Sequence, residues 1–195
     1  MFFRFSLSAR VLLLPWLLAA LAGCGSGDRD PVADAKFENE KRIGDADITK
    51  RQERDAEFMV NAATNSLLAV ELGKLAQQKT ARPEVRTFAQ NLLRDHAALN
   101  TALAGVATQK GLAVPKSLGD EQQDTYQELA GLTGADFDRR FLQVSAEHYD
   151  ESADDFEDMS DDAYDGDIRA LAAKYAPALS QYRDQAKQLE DALPQ

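Results

Sequence analysis

One cysteine, two histidines and one tryptophan in 195 residues leave little material for several kinds of chemistry. A lone cysteine cannot close an intramolecular disulfide, so stability must come from a packed core even in an oxidising compartment. Basic residues are scarce, at 22 against 33 acidic ones, for a net charge of −11. That balance argues against a nucleic-acid partner and against electrostatic docking on anionic lipid. Strand-like alternation is almost absent. No phosphate-cradling glycine motif, zinc-protease motif or nucleophile elbow occurs. Apart from the N-terminal region, no apolar run approaches the roughly 20 residues that span a bilayer.

The N-terminal run is the exception, and it is short. Residues 1–10 carry Arg4 and Arg10 and no acid, and residues 11–22 are apolar, interrupted only by Pro15. This is the layout of a secretory signal rather than of a stable transmembrane anchor. It closes on Leu21-Ala22-Gly23-Cys24, which resembles a bacterial lipobox, the cysteine being lipidated and becoming the new N-terminus. The reading is a lipoprotein signal peptide over 1–23 and a membrane partner engaged through lipidated Cys24. Gly25 in place of aspartate directs the expectation to the outer membrane, with the protein facing the periplasm. Removing two arginines and no acid leaves 20 basic and 33 acidic residues over 24–195, a net charge of −13. Residues 24–46, rich in small and polar types, read as a flexible tether. Residues 47–195 read as one folded domain, long enough for a sizeable core.

That domain is helical by period. Phe58, Ala62, Ala69, Leu72 and Ala76 mark the buried stripe of a first long helix over about 48–78. Pro83 suits the first turn of a second, which carries Val85, Phe88, Leu92, His96, Leu99, Leu103 and Val106 and stops at Gly111. A loop over 111–119 and a short helix over about 120–132 follow. Phe137, Phe141, Val144, His148, Ser152 and Phe156 mark the third long helix, and Ile168 through Leu193 the fourth, with Pro177 inside it. Four long amphipathic helices with short joins imply an all-α, antiparallel four-helix bundle, with an extra short helix before the third long one.

His96 and His148 both fall on apolar stripes, each about 13 residues from its helix start, or roughly 20 Å along the axis. Antiparallel neighbours would bring them to one height in the interior, where a bundle builds a metal or cofactor site. The competing reading is two buried histidines hydrogen-bonded to neighbouring side chains, or lying at the core edge. The Glu-x-x-His pairs of di-iron proteins are missing: Leu93 and Ser145 stand three residues before the histidines. Asp95 and Glu147, each beside a histidine, lie about 100° around their helices, away from the inward face, and read as solvated or paired at the bundle seam. The segment 150–167 holds 10 acids in 18 residues and no base. Asp161, Asp165 and Gly166 loosely echo a calcium loop, but Ala163 and Ala172 occupy ligand positions, leaving room for weak divalent-metal binding at most. No cofactor is required by the sequence.

The chain resembles the bacterial envelope family called domain of unknown function 4142. The similar stretches are 58–63, Glu71-Leu72-Gly73-Lys74-Leu75-Ala76, Val85 through Phe88-Ala89 to Asp95-His96, 111–115, Phe137-Asp138-Arg139, His148, and 171–179 around Pro177. The resemblance implies a ferritin-like bundle with four inward polar positions: a glutamate on the first helix, His96, His148, and a histidine on the last helix. The first of these falls on Ala69, with Glu71 close by, and the last on Tyr182. Glu71 and Tyr182 are therefore supporting candidates around a site that keeps two of four ligands. Two functions are carried forward. One is a non-catalytic structural or interaction role at the envelope. The other is metal or small-ligand binding through His96 and His148 in stress or redox handling. No residue set for an enzyme is located, and the sequence names no protein partner or oligomeric state.

Overall fold

The computed structural model describes residues 30–45 and 50–194. The signal segment 1–23, Cys24 and the beginning of the expected tether lie outside the described residues. Within them all regular structure is helical: α1 (Pro31–Asp45), α2 (Lys50–Lys79), α3 (Pro83–Lys110), α4 (Asp120–Gly131), α5 (Gly134–Asp162) and α6 (Gly166–Asp191). The four long helices and the short α4 lie where the hydrophobic period puts them. No described helix is long and apolar enough to cross a membrane.

Helix α1 is the departure, because residues 31–45 belong to the expected tether. Its N-terminus is built by Asp30, whose Oδ1 accepts from the amides of Val32 and Ala33 at 2.8 and 2.9 Å, and by Pro31 in the first turn. The second carboxylate oxygen, Oδ2, accepts from the amide of Asp120 and so caps α4 as well. Among the described side chains of α1, Ala35, Asn39 and Ile43 are the buried ones. Asn39 is bound twice to one backbone residue, donating to the Ala113 carbonyl at 2.8 Å and accepting from its amide at 2.7 Å. Arg42 donates to the Gly111 carbonyl. Gly111 itself ends α3 in the left-handed region, at φ 67°, which glycine adopts without strain.

Helix α2 packs on α3 and α5, α5 on α6, and α6 back on α3, so the four long helices close a circuit around the core; α1 lies on α2, and α4 contacts α2 and α5. Phe58 meets Phe156 edge-on at 4.9 Å, and Phe88 meets Phe141 at 6.0 Å. The α2–α3 approach is close at Gly73, where a Cβ would come within 3.1 Å of Leu93 Cγ. Buried Asp55 orders the α5–α6 turn by accepting from the amides of Tyr164 and Asp165 at 3.0 and 2.7 Å. Asp165 in turn caps α6 and pairs with Lys110 at 2.7 Å. The calcium-loop echo thus corresponds to a helix cap whose carboxylate is already engaged. Lys79 donates to the carbonyls of Ala130 and Leu132, satisfying the C-terminal end of α4.

Candidate functional site

All four long helices contribute to one polar cluster in this core. Helix α2 supplies Asn65 and Ser66, α3 supplies Asp95 and His96, α5 supplies His148 and Tyr149, and α6 supplies Tyr182. His96 is 3% exposed and Tyr149 1% exposed. His96 Nδ1 lies 2.9 Å from Ser66 Oγ, and its Nε2 lies 2.7 Å from the Tyr149 hydroxyl. The directions of these bonds follow from the proton count. Ser66 Oγ donates to the His96 carbonyl at 3.4 Å, so it accepts from Nδ1–H. Nε2 then carries the lone pair and accepts the Tyr149 hydroxyl proton, which would otherwise be buried without an acceptor. Burial, reinforced by the neighbouring His148, pushes the His96 value down to about 3, so the ring is neutral. Burial likewise raises the Tyr149 phenol well above its ordinary range.

His148 does not meet His96 as the stripe predicts. Its Nε2 donates to the Asn65 carbonyl at 3.1 Å, which leaves the Nδ1 lone pair uncommitted in the neutral ring. Tyr149 stands beside both rings, 5.6 Å from His96 and 5.5 Å from His148 between centroids. The difference is one helix position. The buried side of α5 runs through Phe141, Ser145, Tyr149, Ser152 and Phe156, so His148 is half-buried at the seam. Tyr149 is the residue that sequence reasoning missed; the three- and four-residue spacing of that second stripe was the available signal. Ser66 and Asn65 gave none, being small polar residues on a helix of mixed character.

His148 also lines a polar cleft of about 390 Å³ between α1, α2, α4 and α5, with Lys36, Arg140, Glu147, Glu151 and Asp155 around it. Burial, with Glu151 and Asp158 nearby, raises the Asp155 carboxyl above its usual range. Tyr182 completes the interior cluster. Its ring stacks on Tyr149 at 5.5 Å, and its hydroxyl donates to Asp95 Oδ2. Asp95 reaches solvent at the α3 surface, where Arg94 binds it at 2.7 Å and holds its carboxyl below the usual value. Ala69 is buried in the core, whereas Glu71 sits at the surface, paired with Lys74 at 2.7 Å. Glu71 is therefore engaged away from the cluster. Among the described residues, no three His, Cys, Asp or Glu side chains gather closely enough to hold a metal ion.

The model of a family described as a domain of unknown function, DUF4142, matches residues 42–189. The chain belongs to this family. Its fold is similar to that of a DUF305 fragment from Deinococcus radiodurans, at 13% identity and a TM-score of 0.64, covering 72% of this chain and 97% of that one. It is also similar to CopM in its Cu(II)-bound form, at 19% identity and a TM-score of 0.60, covering 70% of this chain and 95% of the other. The Cu(I)-bound form of CopM gives 0.59. At such identities the likeness is one of fold. A comparison with curated proteins gives no match.

Proposed function

We propose that this DUF4142 protein is a lipid-anchored, periplasm-facing envelope protein with a non-catalytic structural or interaction role. In this reading it is an antiparallel four-helix bundle of ferritin-like type, held to the outer membrane by acylated Cys24. The Phe58–Phe156 contact and the Asp55 bonds to residues 164 and 165 support the arrangement, because they set the start of α2 beside the end of α5. The carrying observation is the commitment of His96: both ring nitrogens are bonded inside the protein, so a metal would have to displace Ser66 or Tyr149. The cluster works as a core fastener between four helices, with Tyr182 in it as a hydrogen-bond donor rather than a ligand.

A second reading has one observation of its own. His148 presents a free Nδ1 lone pair and lines a polar cleft with Glu147, Glu151 and Asp155, and the fold is shared with a copper-bound CopM. Thermal unfolding of the untagged domain with and without Cu(II) or Zn(II) separates the two. The structural reading expects the same small shift in wild type and in a His96→Gln/His148→Gln variant. A ligand held at 100 times its dissociation constant would stabilise wild type by about 2.7 kcal/mol, a gain the double variant would lose. That outcome would replace the first reading with the second.

A further inference from the structure

The cluster has a property that fastening helices does not require. A fully buried phenol donates to an imidazole lone pair, and a second phenol stacked on the first donates to a carboxylate at the surface. Each tyrosine thus has a base already placed to receive its proton. This matters for one-electron chemistry. A tyrosine that loses an electron becomes a very strong acid, and oxidation is facile only where the proton can leave with the electron. Most buried tyrosines that bond a backbone carbonyl lack such a base.

We propose that Tyr149 with His96 is a one-electron redox site, reached from the surface through Tyr182 and Asp95, that takes up oxidising equivalents from radical-type oxidants. In the first step the oxidant gains one electron from Tyr182, and the phenolic proton passes to Asp95 Oδ2, leaving a neutral phenoxyl. In the second step Tyr149 gives one electron to that phenoxyl. The Tyr149 proton passes to His96 Nε2, and Asp95 returns its proton to the Tyr182 oxygen. The balance is one oxidant reduced by one electron, Tyr182 and Asp95 restored, Tyr149 left as a neutral phenoxyl and His96 as imidazolium. Ring stacking at 5.5 Å gives the electron a short path. His96 Nδ1–H remains bonded to Ser66 Oγ throughout, which keeps Nε2 aimed at the phenol. Burial does the rest, since a phenoxyl at 1% exposure cannot couple with a second chain. The high proton affinity of the Tyr149 oxygen agrees with this, because it excludes a resting phenolate and ties electron loss to proton transfer. The site is independent of the lipid anchor.

The test is photo-oxidation of the protein by flash-generated tris(bipyridine)ruthenium(III), followed by electron paramagnetic resonance. Tyr164, 51% exposed on the surface, is the natural competitor. Wild type and Tyr164→Phe should both give a long-lived phenoxyl signal, and Tyr149→Phe should lose it. Tyr182→Phe should slow its appearance several-fold. A long-lived signal that persists in Tyr149→Phe, or disappears in Tyr164→Phe, overturns the proposal. Should Tyr149→Phe fail to fold, 15N-histidine labelling of wild type decides. The phenoxyl should show hyperfine coupling to an imidazole nitrogen, and its absence rejects the site.

Discussion

Ser66, His96 and Tyr149 share two protons in two hydrogen bonds between four heavy atoms, in a way that only the neutral imidazole satisfies, and this has a consequence for acid stability. The folded protein holds His96 at about 3 and His148 at about 4, both through burial. In the unfolded chain each titrates near 6.5. Groups depressed on folding contribute stability that is fully present above the unfolded value and is lost as pH falls towards the folded one. Between pH 7 and 5, unfolding free energy from urea titrations should fall by about 2 kcal/mol for His96 and by less for His148, whose ring borders the cleft. The carboxylates of Asp30, Asp95, Glu128 and Asp165 are held below their usual values, so they stay ionised over that range, whereas Asp155, raised by burial, acts in the opposite sense. His96→Gln should start less stable by about 1–3 kcal/mol, having disturbed two buried bonds, yet lose less on acidification. A variant with the wild-type pH slope would show that His96 is not the group being protonated. His96 was legible in the sequence as a buried residue because it interrupts an apolar stripe, whereas His148, read from a similar stripe, lies half-buried at the seam. Their partners were not legible, since which of two overlapping stripes on α5 faces inward is decided by packing against α2 and α6. A one-residue shift of that face exchanges His148 for Tyr149.

At the scale of elements, periodicity located every helix that buries a continuous apolar stripe, and it failed on the one that does not. Among its described side chains, helix α1 turns only Ala35, Asn39 and Ile43 inward, and one of those three is polar. Its order comes from tertiary bonds to residues far along the chain, the Asn39–Ala113 pair and the Asp30 carboxylate shared with Asp120. No window of local sequence contains them. Asp30→Ala should therefore unfasten two helix starts at once and cost about 1 kcal/mol for each cap, read as a lowered urea midpoint with unchanged slope. Asp30→Asn, keeping one oxygen acceptor, should fall between Ala and wild type. Beginning the chain at residue 46 should be more costly than either, because it strips the cover from α2. If the Ala variant matched wild type, α1 would not be docked as described. Gly73 gives a complementary test on α2. An alanine there meets the Ala89 carbonyl at 3.3 Å and Leu93 at 3.1 Å, so Gly73→Ala should destabilise by about 1 kcal/mol or more through overpacking, despite alanine's better helix propensity.

For the whole molecule, the order of α1 changes what the proposed anchor can do. If residues 24–46 were all tether, about 20 flexible links would hold the domain roughly 25 Å from the membrane. With the chain fixed from Asp30, only six peptide links separate it from Cys24, a reach of at most about 21 Å however they are arranged. The proposed lipoprotein therefore keeps its α1–α4 corner close to the bilayer. Its acidic surface does not favour that position, because 33 acidic against 20 basic residues after removal of 1–23 leave a net charge that anionic headgroups repel. Attachment then rests on acyl chains alone. Cys24→Ser should move the protein from the membrane fraction to the soluble one, equally at low and high salt, since screening has no attraction to weaken. Retention at low salt with release at high salt would mean that charge docks the protein. Retention at both would mean that the 12-residue apolar run anchors it, contrary to its length. Either result would remove the lipid anchor from the proposed function while leaving the helical core and its Tyr149–His96 pair as they are.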